Sequence, residues 1–344
     1  MSLTPKDIPV GAVRYNTDSN KMEVYIGSTW MEVAVSSPNL GNSAAGVRGV
    51  HNLGNFSTPI NTLEFLTISS QGNSTDFGDS TTIGVGGCSP SSRTRGLFAG
   101  KNAGAPGYAS LNNIDYITFS STGNAQDFGD LSDPHDYGRN NISSGTRGVM
   151  AGGWPANSDI IDFVTIATLG NALDFGNLVE NTGGGPPGAS SPTRGLFCGG
   201  YHPSPSPLVT RNTIQFVTIA TTGNTQDFGD LSSARAHAGV SGNSTRILIS
   251  SGYTDPSSPT TTIDSVTIAT LGNATKFGDA TYSGNAKGST SSPTRSVFIG
   301  GNSSSIQTTI DYNEIATEGD SVDFGDTGAA GGWIAANSNG HGGL

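Results

Sequence analysis

TTGNTQDFGDL, residues 221–231, recurs in variant form along the whole chain. Its phenylalanine falls at Phe77, Phe128, Phe175, Phe228, Phe277 and Phe324, at spacings of 47 to 53 residues. A period near 50 carried through six copies is the mark of a repeat architecture, in which each unit buries its apolar face against its neighbours. Working outward from the phenylalanine, a β-branched run, around Leu63, Ile114, Ile161, Ile214, Ile263 and Ile310, precedes a Gly-Asn in five repeats and Gly319-Asp320 in the sixth. Further upstream lies a run led by Arg48, Arg95, Arg147, Arg194, Arg246 or Arg295, as in PTRGLFCGG and PTRSVFIGG. A weaker Gly- and Ala-rich piece, such as Ala236–Gly242, comes first. These four pieces read as short strands, named a, b, c and d in chain order. The Gly-Asn between c and d predicts a two-residue hairpin, because both residues tolerate positive φ.

Composition agrees with short strands and many turns. Only 33% of the 344 residues are hydrophobic and 50 are glycine. The apolar residues nevertheless gather in β-branched and aromatic runs, which argues against disorder. No long stretch repeats at the helical period, so an all-β fold is expected. Net charge is −11, with 16 basic residues spread thinly, so nucleic acid is not an expected partner. No apolar stretch is long enough to span a bilayer, and the first residues carry no signal-like core, so neither membrane insertion nor export through a signal is expected. Cys88 and Cys198 occupy non-equivalent repeat positions and read as buried free thiols.

Four strands per repeat predict a six-bladed β-propeller of four-stranded blades. The Gly-Gly pairs after strand b (Gly152-Gly153, Gly199-Gly200 and Gly300-Gly301) resemble the hallmark doublet of the kelch family. The tryptophan of the kelch d strand is absent, and the phenylalanine of DFG stands near its place. Counting strands leaves residues 331–337, GGWIAAN, in the position of a further strand a. It is expected to complete the first blade and close the propeller. Met31–Val35 is the competing choice.

Residues 1–37 lie outside the repeat and predict a small β-meander, with the propeller over 38–344. The meander is too small to be stable alone and should pack on something. Its pattern GAVRYNTDSNKMEVYIGSTWMEV resembles a short module of tailed-phage structural proteins, of tail, fibre or decoration type. That resemblance implies a docking role for residues 1–37, and Arg14, Tyr15, Tyr25 and Trp30 are the residues expected to dock. It also implies other virion proteins as partners, a virion location after synthesis in the host cytoplasm, and a homo-oligomer on the particle.

The repeated Arg and the repeated Asp of DFG suggest Arg–Asp pairs that fix each blade. Calcium sites are the other reading, but two carboxylates per repeat fall short of the six to eight oxygens calcium prefers. No metal or other cofactor is expected. DFG here has no kinase context, and the five histidines are scattered. No catalytic residue is assigned, and the protein is expected not to be an enzyme.

Variation among repeats marks the binding face. The a–b and c–d turns are near-identical, whereas the b–c and d–a connections vary. These carry the candidate ligand-contacting residues Tyr108, His135, Tyr137, Trp154, Tyr201, His202, His237 and Tyr253. The expected function is that of a non-enzymatic bacteriophage virion protein, attaching to a host-surface glycan or protein, or decorating the particle. A carbohydrate-active enzyme or lectin-like domain is the alternative, and an intracellular scaffold a third.

Overall fold

A computed structural model describes residues 8–16, 21–32, 47–55, 57–134, 136, 140–153, 159–180, 186–202, 209–254 and 258–344. The chain divides into two compact units, 1–45 and 46–344. Every regular element among the described residues is a β-strand, so the fold is all-β.

The first unit holds one antiparallel sheet, Val13–Asn16, Lys21–Ile26 and Thr29–Glu32, paired in chain order. Arg14, Tyr25 and Trp30 share one face. The Arg14 guanidinium lies 4.2 Å from the Trp30 ring centre and pairs with Glu23 at 2.7 Å, while Tyr25 and Trp30 stack at 5.3 Å. Of the four residues expected to dock, Arg14, Tyr25 and Trp30 therefore bind one another, and Tyr15 stands on the opposite face.

Among the described residues, the second unit holds six repeated antiparallel sheets of three or four strands and a two-stranded ladder. Five have four strands, ordered a-b-c-d. The third contains Ile142–Ser143, Arg147–Ala151, Ile160–Thr165 and Leu173–Asn177. The second sheet has three, Arg95–Ala99, Asn113–Thr118 and Gln126–Asp130, with isolated bridges from Cys88 and Ser91 along the missing edge. In the first sheet the a position is filled from the far end of the chain, where Ala336–Ser338 pairs antiparallel with Arg48–Gly54. Its bounds differ from the 331–337 expected, since Gly331 ends the preceding strand, Val322–Gly331.

The repeated phenylalanine owes its place to a β-bulge. In every repeat the c–d register shifts after the strand-c apolar residue, as between Ile161 and Asp162, so that the DFG Phe is the extra residue on strand d. The bulge turns the ring inward, where it meets a strand-c aromatic edge to face, as Phe65–Phe77 and Phe163–Phe175 do at 6.1 and 6.0 Å. The following glycine adopts φ of +142° to +149° at Gly78, Gly129, Gly176, Gly229 and Gly325. A Cβ at Gly78 would also stand 2.5 Å from the carbonyl of Gly123, the turn glycine of the next repeat. Both constraints demand glycine.

The Gly-Asn turn is not the two-residue hairpin expected. Strand c ends at Thr118 and strand d begins at Gln126, so seven residues intervene. Gly-Asn reaches across to the preceding repeat instead. Gly123 N–H donates to the Phe77 carbonyl at 2.7 Å, and the Asn124 side chain accepts from Asp79 N at 3.1 Å. The same backbone bond joins Gly170 to Phe128, Gly223 to Phe175, Gly272 to Phe228 and Gly319 to Phe277. It also runs from Gly72 to Phe324, which couples the first repeat to the sixth.

The repeated arginines overturn the Arg–Asp expectation. Arg48, Arg95, Arg147, Arg194 and Arg295 lie 4.4 to 4.7 Å above a strand-c aromatic ring of their own repeat. Arg246, whose repeat has Ser265 at that position, lies farther off, 5.9 Å from Phe277. Each then donates to a backbone carbonyl of the next repeat, Arg48 to Phe119 at 2.7 Å and Arg295 to Ile68 at 3.2 Å. The DFG aspartates Asp76, Asp127, Asp174 and Asp227 are solvent-exposed.

Among the described residues, buried apolar side chains form six clusters, each shared between neighbouring sheets. One joins Phe77 and Val50 of the first repeat to Phe98 and Phe119 of the second. Another joins Val297, Phe324 and Ile334 to Leu66 and Ile68 of the first. Strand a is small-residue rich because the a strands crowd together. Serine hydroxyls bridge them: Ser190 to the Ser143 carbonyl, Ser289 to that of Val240, Ser338 to that of Ser291 and Ser91 to that of Ser338, at 2.6 to 2.8 Å. Residues 339–344 fold into this centre. His341 Nε2 lies 3.2 Å from Ser143 Oγ and 3.1 Å from the Ser91 carbonyl, beside a cavity of about 10 Å³, room for about one water.

Candidate functional site

Tyr201, Tyr253 and Trp333 converge on His237. This side chain is buried and its backbone is left-handed, at φ +57°. Its ring centre lies 5.4 Å from Tyr201, 5.2 Å from Tyr253 and 4.6 Å from Trp333. Tyr201 comes from the end of the long strand Arg194–His202 in the fourth repeat, paired with Val209–Thr218. Tyr253 opens the two-stranded ladder of Tyr253–Thr254 with Ser258–Pro259 in the fifth. Trp333 precedes the C-terminal strand. Tyr253 and Trp333 are half-buried, so the cluster reaches the surface through them.

Its backbone support also crosses repeats. Ala286 N–H donates to the His237 carbonyl, Trp333 N–H to that of Ala286, and Gly86 N–H to that of Trp333, at 2.6 to 3.0 Å. All four residues have positive φ, between +57° and +76°. Non-glycine residues seldom adopt this conformation, yet it recurs just ahead of the innermost segment in four repeats.

Three of the eight candidates, Tyr201, His237 and Tyr253, are thus brought together. His202 pairs with Val209 at the tip of the same long hairpin. Tyr108 stands apart in the second repeat, exposed and left-handed at φ +49°, its carbonyl held by Asn102 Nδ2 at 3.1 Å. His135, Tyr137 and Trp154 lie outside the described residues. Trp333 was missed, because it falls in a stretch read as a purely structural strand. Aligning GGWIAAN with RAHAGVS, residues 235–241, puts it opposite His237, and that is the signal that could have found it.

A second repeated feature was absent from the sequence reading. The strand-c residue after the bulge is Glu64, Asp115, Asp162, Gln215, Asp264 or Asp311, and every one is buried. Each holds the start of the d–a connection of the preceding repeat. Asp162 accepts from Ser132 N and Oγ at 2.9 and 2.8 Å, Asp264 likewise from Ser232, and Glu64 from Gly328 N at 3.1 Å. Three of them also neutralise fully buried cations: Lys101 with Asp115 at 2.7 Å, Lys287 with Asp311 at 3.2 Å, and Arg235 with Asp264. Burial pushes the Lys101 and Lys287 ammonium groups down, against the pull of their aspartates. These carboxylates are consumed in joining repeats.

Asp136 differs. It is buried, accepts from Asn102 Nδ2 at 2.8 Å and Ser110 Oγ at 2.6 Å, and burial pushes its carboxyl up to about 6. No group of three or more His, Cys, Asp or Glu side chains that could hold a metal ion occurs among the described residues. Cys88 and Cys198 are buried and unpaired, and burial pushes both thiols up to about 12. No protein-family model and no curated protein matches the chain.

Proposed function

We propose that the chain is a six-bladed β-propeller that displays a binding face as a non-enzymatic structural protein of a bacteriophage particle. The blade count and closure are supported by contacts that recur from repeat to repeat and again from the sixth to the first, and by the C-terminal strand beside Arg48–Gly54. Such closure leaves no open edge on the array.

The observation that carries the functional reading is the aromatic cluster around His237. The sequence elements that repeat are spent on holding blades together, and variable stretches of the fourth and fifth repeats meet at this cluster. Tyr and Trp rings at the surface offer large contact area at low entropic cost, which suits a glycan or a protein partner. Residues 1–37 would attach this propeller to other virion proteins, a reading that rests on their resemblance to phage modules. The experiment has two arms. Deleting residues 1–37 is expected to leave a folded propeller that no longer joins particles. Trp333→Ala with Tyr253→Ala is expected to leave incorporation intact and abolish adsorption to host cells. Unchanged incorporation or unchanged adsorption would overturn the corresponding part.

A further inference from the structure

The fifth repeat departs from the others at one position of strand c. The register places Phe65, Tyr116, Phe163, Phe216 and Tyr312 opposite the first residue of strand d, and in the fifth repeat Ser265 holds that place. Each of the five rings lies 5.9 to 6.2 Å from the DFG phenylalanine of its repeat and carries an arginine on its face. Ser265 offers no ring, and Arg246 approaches Phe277 to 5.9 Å instead. A cavity of about 250 Å³ opens beside Arg246, lined by Ser265, Val266, Thr275 and, from the next repeat, Glu318. The second repeat has a groove of about 410 Å³ at the equivalent place, and there Tyr116 and Gln126 form part of the wall.

We propose that the cavity of the fifth repeat binds a phenol ring that comes from outside the chain. The two tyrosines show how this position treats a phenol. Tyr116 O–H donates to Gln126 Oε1 on strand d. Tyr312 Oη accepts at 3.3 Å from Gln71 Nε2, the residue ahead of the turn glycine Gly72 in the neighbouring repeat. In the fifth repeat Thr275 stands at the register of Gln126, and Glu318, ahead of Gly319, is the counterpart of Gln71. Both line the cavity. Polar groups for a phenolic hydroxyl are therefore kept where the chain supplies no ring. At the Gln71 position the amide donor has become a carboxylate, which only accepts, so the group it meets must donate. A phenol O–H does so, and a plain benzyl ring does not. The Arg246 guanidinium, held by the Ile315 carbonyl at 3.1 Å, supplies a cation for the ring face. Ser265 and Val266, both buried, supply the floor. A cavity of about 150 Å³ is enough for benzene, so the volume here admits a phenol with its para substituent directed to solvent. A tyrosine side chain of another polypeptide and a free small phenol share this chemistry. The inference does not depend on the virion reading or on the cluster around His237.

The test is titration of the full-length chain with p-cresol, toluene and N-acetyl-tyrosinamide, followed by ligand-observed NMR. Wild type is expected to bind p-cresol saturably and toluene roughly tenfold more weakly, as the loss of one hydrogen bond to a charged acceptor requires. Ser265→Tyr places the chain's own phenol in the cavity, as Tyr116 and Tyr312 do in their repeats, and should abolish p-cresol binding while the protein stays folded. Glu318→Leu, at an exposed position, keeps the cavity and should bring p-cresol down to the level of toluene. Binding of N-acetyl-tyrosinamide as tight as that of p-cresol identifies a tyrosine within a polypeptide as the source, and binding of p-cresol alone identifies a free phenol. No saturable binding of p-cresol, equal binding by wild type and Ser265→Tyr, or a preference over toluene that survives in Glu318→Leu would overturn the proposal.

Discussion

The backbone N–H of Gly72 donates to the carbonyl of Phe324 at 2.8 Å. One residue lies in the first repeat and the other in the last, and their bond matches the one between Gly123 and Phe77 within the array. Identical chemistry at the first-to-last junction and at interior junctions supports the proposed closed array, in which every repeat has two neighbours. The consequences can be measured.

Gly325 should not tolerate a side chain. Its φ is +149°, and a Cβ would stand 2.5 Å from the Gly72 carbonyl. Gly325→Ala is expected to destabilise the second unit by about 1–3 kcal/mol, read from denaturant unfolding. Gly72→Ala, where nothing lies within 4 Å of an added Cβ, carries the φ cost of +148° without the clash and should cost less.

Lys101 and Asp115 form a fully buried ion pair. Lys101→Met leaves Asp115 charged and buried, and should cost about 3–5 kcal/mol. Lys101→Met with Asp115→Leu should recover a large part of that loss, since it removes both charges. Melting temperatures of the two variants, compared with wild type, check this.

His341 makes stability depend on pH in a defined direction. Burial lowers its imidazole to about 4, from an ordinary 6.5. The unfolded chain therefore binds a proton at His341 between those values while the folded chain does not. Its contribution is full above pH 6.5, declines as pH falls, and is exhausted near pH 4, amounting to about 3 kcal/mol. His51 is lowered in the same sense, whereas the raised Asp136 acts oppositely. His341→Asn isolates the single group. The stability gap between wild type and variant should narrow from pH 7 to pH 4, as followed by thermal melts.

The all-β fold and its repeated sheets were legible because period and strand pattern are local properties. The bulge at DFG was visible only as a conserved-looking glycine within the repeats, since register shifts depend on pairing. The role of the arginines was not legible. Each meets an aromatic of its own repeat and a carbonyl of the next, and backbone acceptors leave no trace in sequence. The strand-c carboxylates were hidden for the same reason, as their partners Ser132 and Ser232 belong to the preceding repeat. The candidate face was traced from variation among loops, which points to Tyr201, His237 and Tyr253 but passes over Trp333 in an apparently structural stretch. In the N-terminal sheet, strand alternation alone separates Tyr15 from Arg14, Tyr25 and Trp30. Treating all four as one docking set ignored that alternation.

The proposed propeller is a closed array whose first blade is completed from the C-terminus. Deleting residues 329–344 tests it most directly, because it removes the strand Ala336–Ser338, the buried Ile334 and His341 together. Thermal unfolding of the truncated chain should show either no cooperative transition or a midpoint lower by roughly 10 °C or more. A truncated chain that melts cooperatively at the wild-type midpoint would contradict the account.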